Sequence, residues 1–411
     1  MKKLVLVFVL LGLSLSSFGQ KKITDLKPTV ILISLDGFRY DYLDKFKPET
    51  LNELARSGVR AKWMIPSFPT KTFPNHYTIV TGLYPAHHGI VENNIYDFGE
   101  IFKIDDKKQV RDSKWWWGEP IWVTAEKQGQ IAGSYFFVGS EAKIEGTYPR
   151  YRRDYNGRVP PEMRIDQVLG WLDRPAKERP TIITMYFSDT DDTGHEFGPD
   201  SEENRYAVLN VDRYVKRLLV GLAQRGVAER VNIIIVSDHG MASRNQRDAI
   251  VMDDYFDTTD KSLADPILTT GEIWQIFPKS GKEDVIMEKL RSITHATCWR
   301  KADIPKRFHY GGKRIAPIIC SSDEGWTMDT RKRFEEWKDS PDFDERRGAH
   351  GYDNRVQSMQ ATFIAHGPAF KSGYVAEPFE NIHVYELMCK ILGLTPAKND
   401  GSLDDVRGML R

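Results

Sequence analysis

Six side chains of metal-binding type stand where this sequence leaves an apolar run or passes through a glycine-flanked loop: Asp36, Asp191, His195, Asp238, His239 and His350. Three carboxylates and three imidazoles divide into two mixed nitrogen and oxygen sites. That donor set suits zinc better than magnesium or calcium, which favour all-oxygen shells. Taken singly, each acid reads as a helix cap and each histidine as a core residue. Two spacings raise them above that reading. Asp191 and His195 are four apart, so a turn or helix start presents both to one ion. Asp238 and His239 are adjacent at the end of an apolar run, where the chain leaves the pleat and neighbours need not face opposite ways.

One hydroxyl completes the chemistry. Residues 69–76 read Pro-Thr-Lys-Thr-Phe-Pro-Asn-His and precede an apolar helical stretch ending at Gly82. Pro74 fits the first turn of that helix and puts Thr72 at or just before its N-terminus, where backbone N–H groups and the helix dipole favour an anion. Read locally, Thr72 is an N-cap. It becomes a nucleophile only if a cation lowers its pKa.

These residues need a frame that gathers them. Runs at 30–35, 181–187 and 231–236 are apolar and rich in β-branched residues, and helical patterns separate them, which predicts a parallel sheet covered on both faces. Each run is followed by acids: Asp36, then Asp189 to Asp192, then Asp238. Ligands bind at the carboxyl ends of strands in open α/β sheets, so the three clusters converge on one crevice. From 241 to about 346 the pattern changes, with a strand at 273–277, a helix at 284–293 and a basic, aromatic stretch at 304–310; this predicts a smaller α+β insertion. A strand at 361–365 and a helix at 384–392 return to the core. The expected fold is therefore α/β, a mostly parallel central sheet with helices on both faces plus that insertion.

Charge and cysteines narrow the class. Lys plus Arg and Asp plus Glu both total 58, so no overall basic field exists to hold a nucleic-acid polymer or an anionic membrane. Any phosphate-bearing partner must be captured by a local site. Three cysteines exclude a disulfide scaffold; one bridge between Cys298 and Cys320 is open, and Cys389 sits in an apolar helical pattern as a core thiol. Met1-Lys2-Lys3, an apolar run from 4 to about 15 and small residues to Gly19 read as a signal peptide over 1–19, too short to span a bilayer. The expected product is exported, periplasmic or secreted, without stable membrane insertion, with residues 20–411 as a single catalytic domain.

Six motifs in order now show a resemblance. Leu35-Asp36-Gly37-Phe38-Arg39, Lys71-Thr72-Phe73-Pro74-Asn75-His76, Thr81-Gly82-Leu83-Tyr84-Pro85 with His88-Gly89-Ile90, Gly194-His195-Glu196-Phe197-Gly198-Pro199, Ser237-Asp238-His239-Gly240-Met241 and His350-Gly351-Tyr352-Asp353-Asn354 resemble those of the ectonucleotide pyrophosphatase/phosphodiesterase family, within the alkaline phosphatase superfamily. The similarity runs from about 29 to 394. It implies two Zn2+ per chain, one held by Asp191, His195 and His350, the other by Asp36, Asp238, His239 and the nucleophile Thr72. It implies that Asn93 donates to a phosphate oxygen, and that in-line attack by Thr72 forms a phospho-threonine intermediate which water then cleaves, releasing a nucleoside monophosphate. Phe73 matches the aromatic residue that stacks on the base and Tyr155 the tyrosine of a later loop; Trp115, Trp116, Trp117 and Trp122 resemble the loop walling that pocket, though core packing accounts for them equally well. The partner implied is a nucleotide or dinucleotide. The chain lacks the cysteine-rich modules and nuclease-like domain of larger members and resembles the compact, catalytic-domain-only forms. The rival reading is a phospholipid or choline-phosphate diesterase with the same two-zinc site; a phosphomonoesterase and a catalytically dead binding protein rank behind it.

Overall fold

The computed structural model describes residues 22–340 and 346–411; the signal peptide expected at 1–19 lies outside the described residues. The central sheet has eight strands: β1 (Thr29–Leu35), β2 (Val59–Ala61), β3 (Ala132–Tyr135), β4 (Tyr151–Arg153), β5 (Ile182–Phe187), β6 (Val231–Val236), β7 (Phe363–His366) and β8 (Tyr374–Ala376). Their spatial order is β8-β2-β7-β6-β1-β5-β3-β4. All neighbours are parallel except β7, which runs antiparallel to both β6 and β2. The mostly parallel sheet expected from the sequence is borne out.

Helices α1 (Glu49–Ser57), α2 (Thr72–Thr81), α3 (Ile121–Lys127), α4 (Pro161–Leu172), α5 (Asp189–Phe197), α6 (Glu202–Gln224) and α7 (His383–Leu392) accompany it. Side chains alternate across a strand, so β1 feeds two cores. Val30 and Leu32 pack in one cluster with Ile79 and Val80 of α2, Trp122 of α3 and Leu387 of α7. Ile31, Ile33 and Leu35 pack in the other with Leu51 of α1, Val168 of α4 and Val208 and Val211 of α6. Every residue of β1 is buried. At roughly 1.5–3 kcal/mol per fully buried large apolar side chain, this two-sided burial holds the strand, and hence Asp36 at its end, in a fixed place.

The segment between Met241 and the return to β7 builds its own antiparallel sheet. Its strands lie in the order Ala264–Thr269, Ile273–Pro278, Ile318–Ser322, Ala296–Arg300, with the helix Glu283–Leu290 packed on it through Ile286 and Leu290. Cys298 stands opposite Cys320 on adjacent strands, and the two form a disulfide. Cys389 is a buried free thiol pushed up to about 12 by burial. Two boundaries differ from the sequence reading by more than one residue. Ala361 pairs with Arg39 and Met64 in isolated bridges, so the regular strand begins only at Phe363. The helix expected to reach 293 ends at Leu290.

Candidate active site

The strand ends deliver the acids to one edge. Ser34 of β1 lies opposite Tyr186 of β5 and Val236 of β6, so Asp36, the start of α5 and Asp238 emerge side by side. Helix α5 begins at Asp189 and places Asp191 and His195 one turn apart. His350 arrives by a longer route. The strand Arg346–Ala349 pairs antiparallel with Ala242–Asn245, Ala349 opposite Ala242, which returns the chain to the segment just after His239.

Two groups of ligand atoms result. Asp191, His195 and His350 form one, and Asp36, Asp238 and His239 the other; within each, one donor atom per residue lies within 4.8 Å of the rest. The His239 and His350 rings stack with centroids 3.5 Å apart, so the two groups adjoin. The second group is closed off, with side chains 0–1% exposed, whereas His195 is 44% exposed, leaving the first accessible from solvent.

The hydrogen bonds show what the groups lack. Nδ1 of His195 bonds Gly348 O at 2.9 Å, Nδ1 of His239 bonds Gly240 O at 2.8 Å, and Nδ1 of His350 bonds Thr70 O at 2.8 Å. A carbonyl only accepts, so each Nδ1 carries the proton and, in the neutral ring, each Nε2 presents a lone pair. Those nitrogens face carboxylates: His239 to Asp238 Oδ2 at 3.0 Å and Asp36 Oδ1 at 3.4 Å, His195 and His350 to Asp191 Oδ1 at 3.5 and 3.7 Å. The same three oxygens, Asp36 Oδ1, Asp191 Oδ1 and Asp238 Oδ2, are buried without a hydrogen-bond partner. Acceptors converging on acceptors in a buried space is unfavourable unless a cation lies between them. The residues present fit a divalent ion in each group.

Electrostatics agree. Burial pushes the Asp36 carboxyl well above its ordinary range, and the charges of Asp238 and Asp191 push it further. Burial also opposes the Asp238 charge, but His239 and His76 outweigh it and hold that carboxyl well below its usual value. His350 is held neutral by burial and by the neighbouring His239.

Thr72 is the first residue of α2, and its Oγ1 lies 3.3 Å from His239 Nε2. Phe73 N–H donates to Asn93 Oδ1 at 3.0 Å, which fixes the amide and leaves its Nδ2 as a separate donor. Asp36, Thr72, Phe73, Tyr155 and Asp191 line one cleft of about 420 Å³. Tyr155 stands on its wall against Tyr186 and Phe136, with ring centroids 6.1 and 5.4 Å away. The ten residues expected as metal ligands, nucleophile and substrate contacts thus lie in one neighbourhood.

A family model described as Type I phosphodiesterase / nucleotide pyrophosphatase matches residues 30–353. The chain belongs to that family. It is 39% identical over 391 residues to venom phosphodiesterase CdcPDE of Crotalus durissus collilineatus, covering 93% of this chain and 46% of the relative. Against ectonucleotide pyrophosphatase/phosphodiesterase family member 3 of Rattus norvegicus the identity is 39% over 395 residues, 94% of this chain and 44% of the relative. The chain spans about half the length of these curated relatives. Among solved structures it superposes on murine ectonucleotide pyrophosphatase/phosphodiesterase 5 with a TM-score of 0.85 at 33% identity, covering 93% of this chain and 100% of that one. An inactive threonine-to-alanine variant of the same murine protein, in complex with AMP, gives 0.86 at 32%, covering 94% and 100%.

In this chain the tryptophan cluster does not wall the pocket. Trp115, Trp116 and Trp122 are buried core residues and none of the four lines the cleft. Trp116 backs Phe73 at 6.1 Å, so its part is to support the aromatic wall from behind. Other residues went unread. Tyr186 donates its hydroxyl to Asp36 Oδ2 at 2.6 Å, hidden because it ends an apolar strand run. Lys71 pairs with Glu272 at 2.6 Å and donates to His350 O at 2.8 Å. Lys71 stands beside Thr72 in the motif, but nothing local marks Glu272 as its partner.

Proposed function

We propose that this protein hydrolyses nucleotide phosphodiester and pyrophosphate bonds through a phospho-threonine on Thr72, releasing a nucleoside monophosphate. The observation that carries the reading is the placement of Thr72 Oγ1, at the start of a helix, beside His239 Nε2 and in the same cleft as Phe73 and Tyr155. Asp191, His195 and His350 would hold one zinc, and Asp36, Asp238 and His239 with Thr72 the other. Bound there, the pair would lower the hydroxyl pKa and offset charge on the transferring phosphoryl group.

The remaining steps belong to the chain's own residues. Thr72 Oγ1 forms the new O–P bond as the bond to the leaving oxygen breaks; that oxygen keeps the electron pair and the hydroxyl proton passes to solvent. Water then attacks the phospho-threonine, returns a proton to Thr72 and frees the monoester. Asn93 Nδ2 donates to a non-bridging oxygen as charge builds. Phe73 and Tyr155 offer aromatic faces to the base, and stacking of this kind accepts any base. AMP in the complex of the murine neighbour supports a nucleotide in this position.

We further propose an exported, periplasmic or secreted enzyme. The N-terminal apolar run supports this, and the Cys298–Cys320 bridge suits an oxidising compartment. No helix among the described residues is long and apolar enough to cross a membrane. Residues 20–411 are proposed as one catalytic domain carrying an insertion at about 241–346.

The test compares wild type and Thr72→Ala on the nitrophenyl ester of thymidine monophosphate, nitrophenyl phosphocholine and nitrophenyl phosphate. The nucleotide diester is turned over fastest, the variant is inactive, and chelation stops turnover until zinc returns. Faster turnover of the choline ester would move the assignment to the lipid-headgroup diesterases.

A further inference from the structure

A second depression, of about 360 Å³, opens onto Asn93, His195 and His350 and shares no lining residue with the aromatic cleft. Both touch the Asp191, His195 and His350 group, and Asn93 in the one is hydrogen-bonded to Phe73 in the other. A phosphorus centre held at this group would have room for one substituent toward Phe73 and Tyr155 and for the other toward the second depression.

The two spaces differ in chemistry. Among the described residues the second has no Phe, Tyr or Trp on its wall and no aliphatic side chain larger than alanine; its charged residues besides the two histidines are Lys71, Arg244, Glu272, Asp329 and Arg333. Four of these five pair off, Lys71 with Glu272 at 2.6 Å and Arg333 with Asp329 at 3.5 Å. Arg244 is left over. Among the described residues its nearest carboxylate oxygen is Glu272 Oε1 at 3.9 Å, on the carboxylate whose Oε2 Lys71 holds, and its guanidinium has no hydrogen bond, with Nε buried and unpartnered. The side chain is 23% exposed and stands on Ala242–Asn245, the strand paired with the one that carries His350 at its end.

We propose that Arg244 binds the phosphate groups of the leaving side, and so favours substrates whose scissile bond leads to a further phosphate. The inference rests on the reaction proposed above and goes beyond it in naming a specificity-determining residue. When the P–O bond breaks, the bridging oxygen keeps the bonding pair, so a departing pyrophosphate gains a charge. A guanidinium with five donors, none of them in a hydrogen bond among the described residues, matches that charge and geometry. A nitrophenolate leaving group carries no phosphate and makes no such contact.

Steady-state kinetics of the zinc-loaded protein on ATP and on the nitrophenyl ester of thymidine monophosphate separate the possibilities. Arg244→Ala raises KM for ATP by about 10-fold or more, the usual size of a lost charge-assisted hydrogen bond, and leaves the nitrophenyl ester within about 2-fold. Inorganic pyrophosphate inhibits wild type competitively and loses affinity in the variant by a similar factor, while Arg244→Lys recovers part of it. Equal effects on both substrates, or none on ATP, overturn the assignment. Calorimetric titration of wild type and Arg244→Gln with inorganic pyrophosphate, alongside matching thermal melts, supplies a readout independent of turnover; unchanged affinity likewise overturns it. Failure of wild type to cleave the nitrophenyl ester is the separate outcome that counts against the proposed reaction.

Discussion

His88 shows how one buried side chain sets a pH limit on the helix that carries Thr72. Its Nδ1 accepts from Ile90 N–H at 3.2 Å, so the ring proton sits on Nε2, which reaches Thr78 Oγ1 at 2.9 Å and Pro74 O at 3.2 Å. Burial lowers its pKa from 6.5 to about 3, and a second proton would have to displace the Ile90 contact. Between these values the unfolded chain binds the extra proton and the folded one does not, so stability is full above about pH 6.5 and falls as pH drops toward 3. The loss is on the order of 5 kcal/mol across that window. Urea melts from pH 7 to pH 4 should show this slope, and His88→Gln should flatten it; an unchanged slope in the variant assigns the effect elsewhere. At the same scale, Phe73→Ala removes one stacking face and should raise KM for nucleotide diesters by roughly 10-fold, in line with 1–3 kcal/mol per stacked base, with kcat less affected. The candidate ligand residues stood out because several carboxylates and imidazoles follow apolar runs in one chain and two of their spacings are local. Arg244 and Glu272 were not, because their meaning comes only from partners far away in the chain.

The helix α2 illustrates what an element adds. Its N-terminus is tied down by Lys71, which bridges Glu272 of the insertion, Thr270 O and His350 O while 5% exposed. Removing one member of such a buried pair strands the other charge, so Lys71→Met should cost about 3–5 kcal/mol, and adding Glu272→Leu should restore much of it. Thermal melts of the single and double variants decide this, and equal losses in both would mean the pair does not act as a unit. Elements like β1 and β6 were readable because both faces are buried and the run is continuously apolar. The strands Val59–Ala61 and Tyr374–Ala376 are three residues each, too short for a period to register; the first pairs with the outer edge of β7 and the second with the first. The antiparallel direction of β7 was likewise beyond the pattern, since alternation reports faces and not direction.

For the whole molecule, the six candidate ligand residues lie between positions 36 and 350, so an ion held by them would cross-link segments that sequence keeps far apart. The fold already brings Asp36, Asp191 and Asp238 together, leaving one buried oxygen of each unsatisfied. Without cations these charges repel, which makes the metal-free protein the less stable form. An ion that binds only the folded chain adds about 4 kcal/mol when present at a thousand times its dissociation constant. Chelation should therefore lower the melting temperature by many degrees, and zinc should return it in proportion to the metal measured on the protein. The Cys298–Cys320 bridge makes a useful control. It closes a loop with a separation of 22 residues inside the insertion sheet, so Cys298→Ala with Cys320→Ala should cost about 3 kcal/mol by loop entropy. That loss should be the same with and without zinc, because the bridge lies among residues that hold no ligand. If the two effects proved non-additive, the insertion and the metal-binding edge of the central sheet would be one cooperative unit, coupled through Lys71 and Glu272.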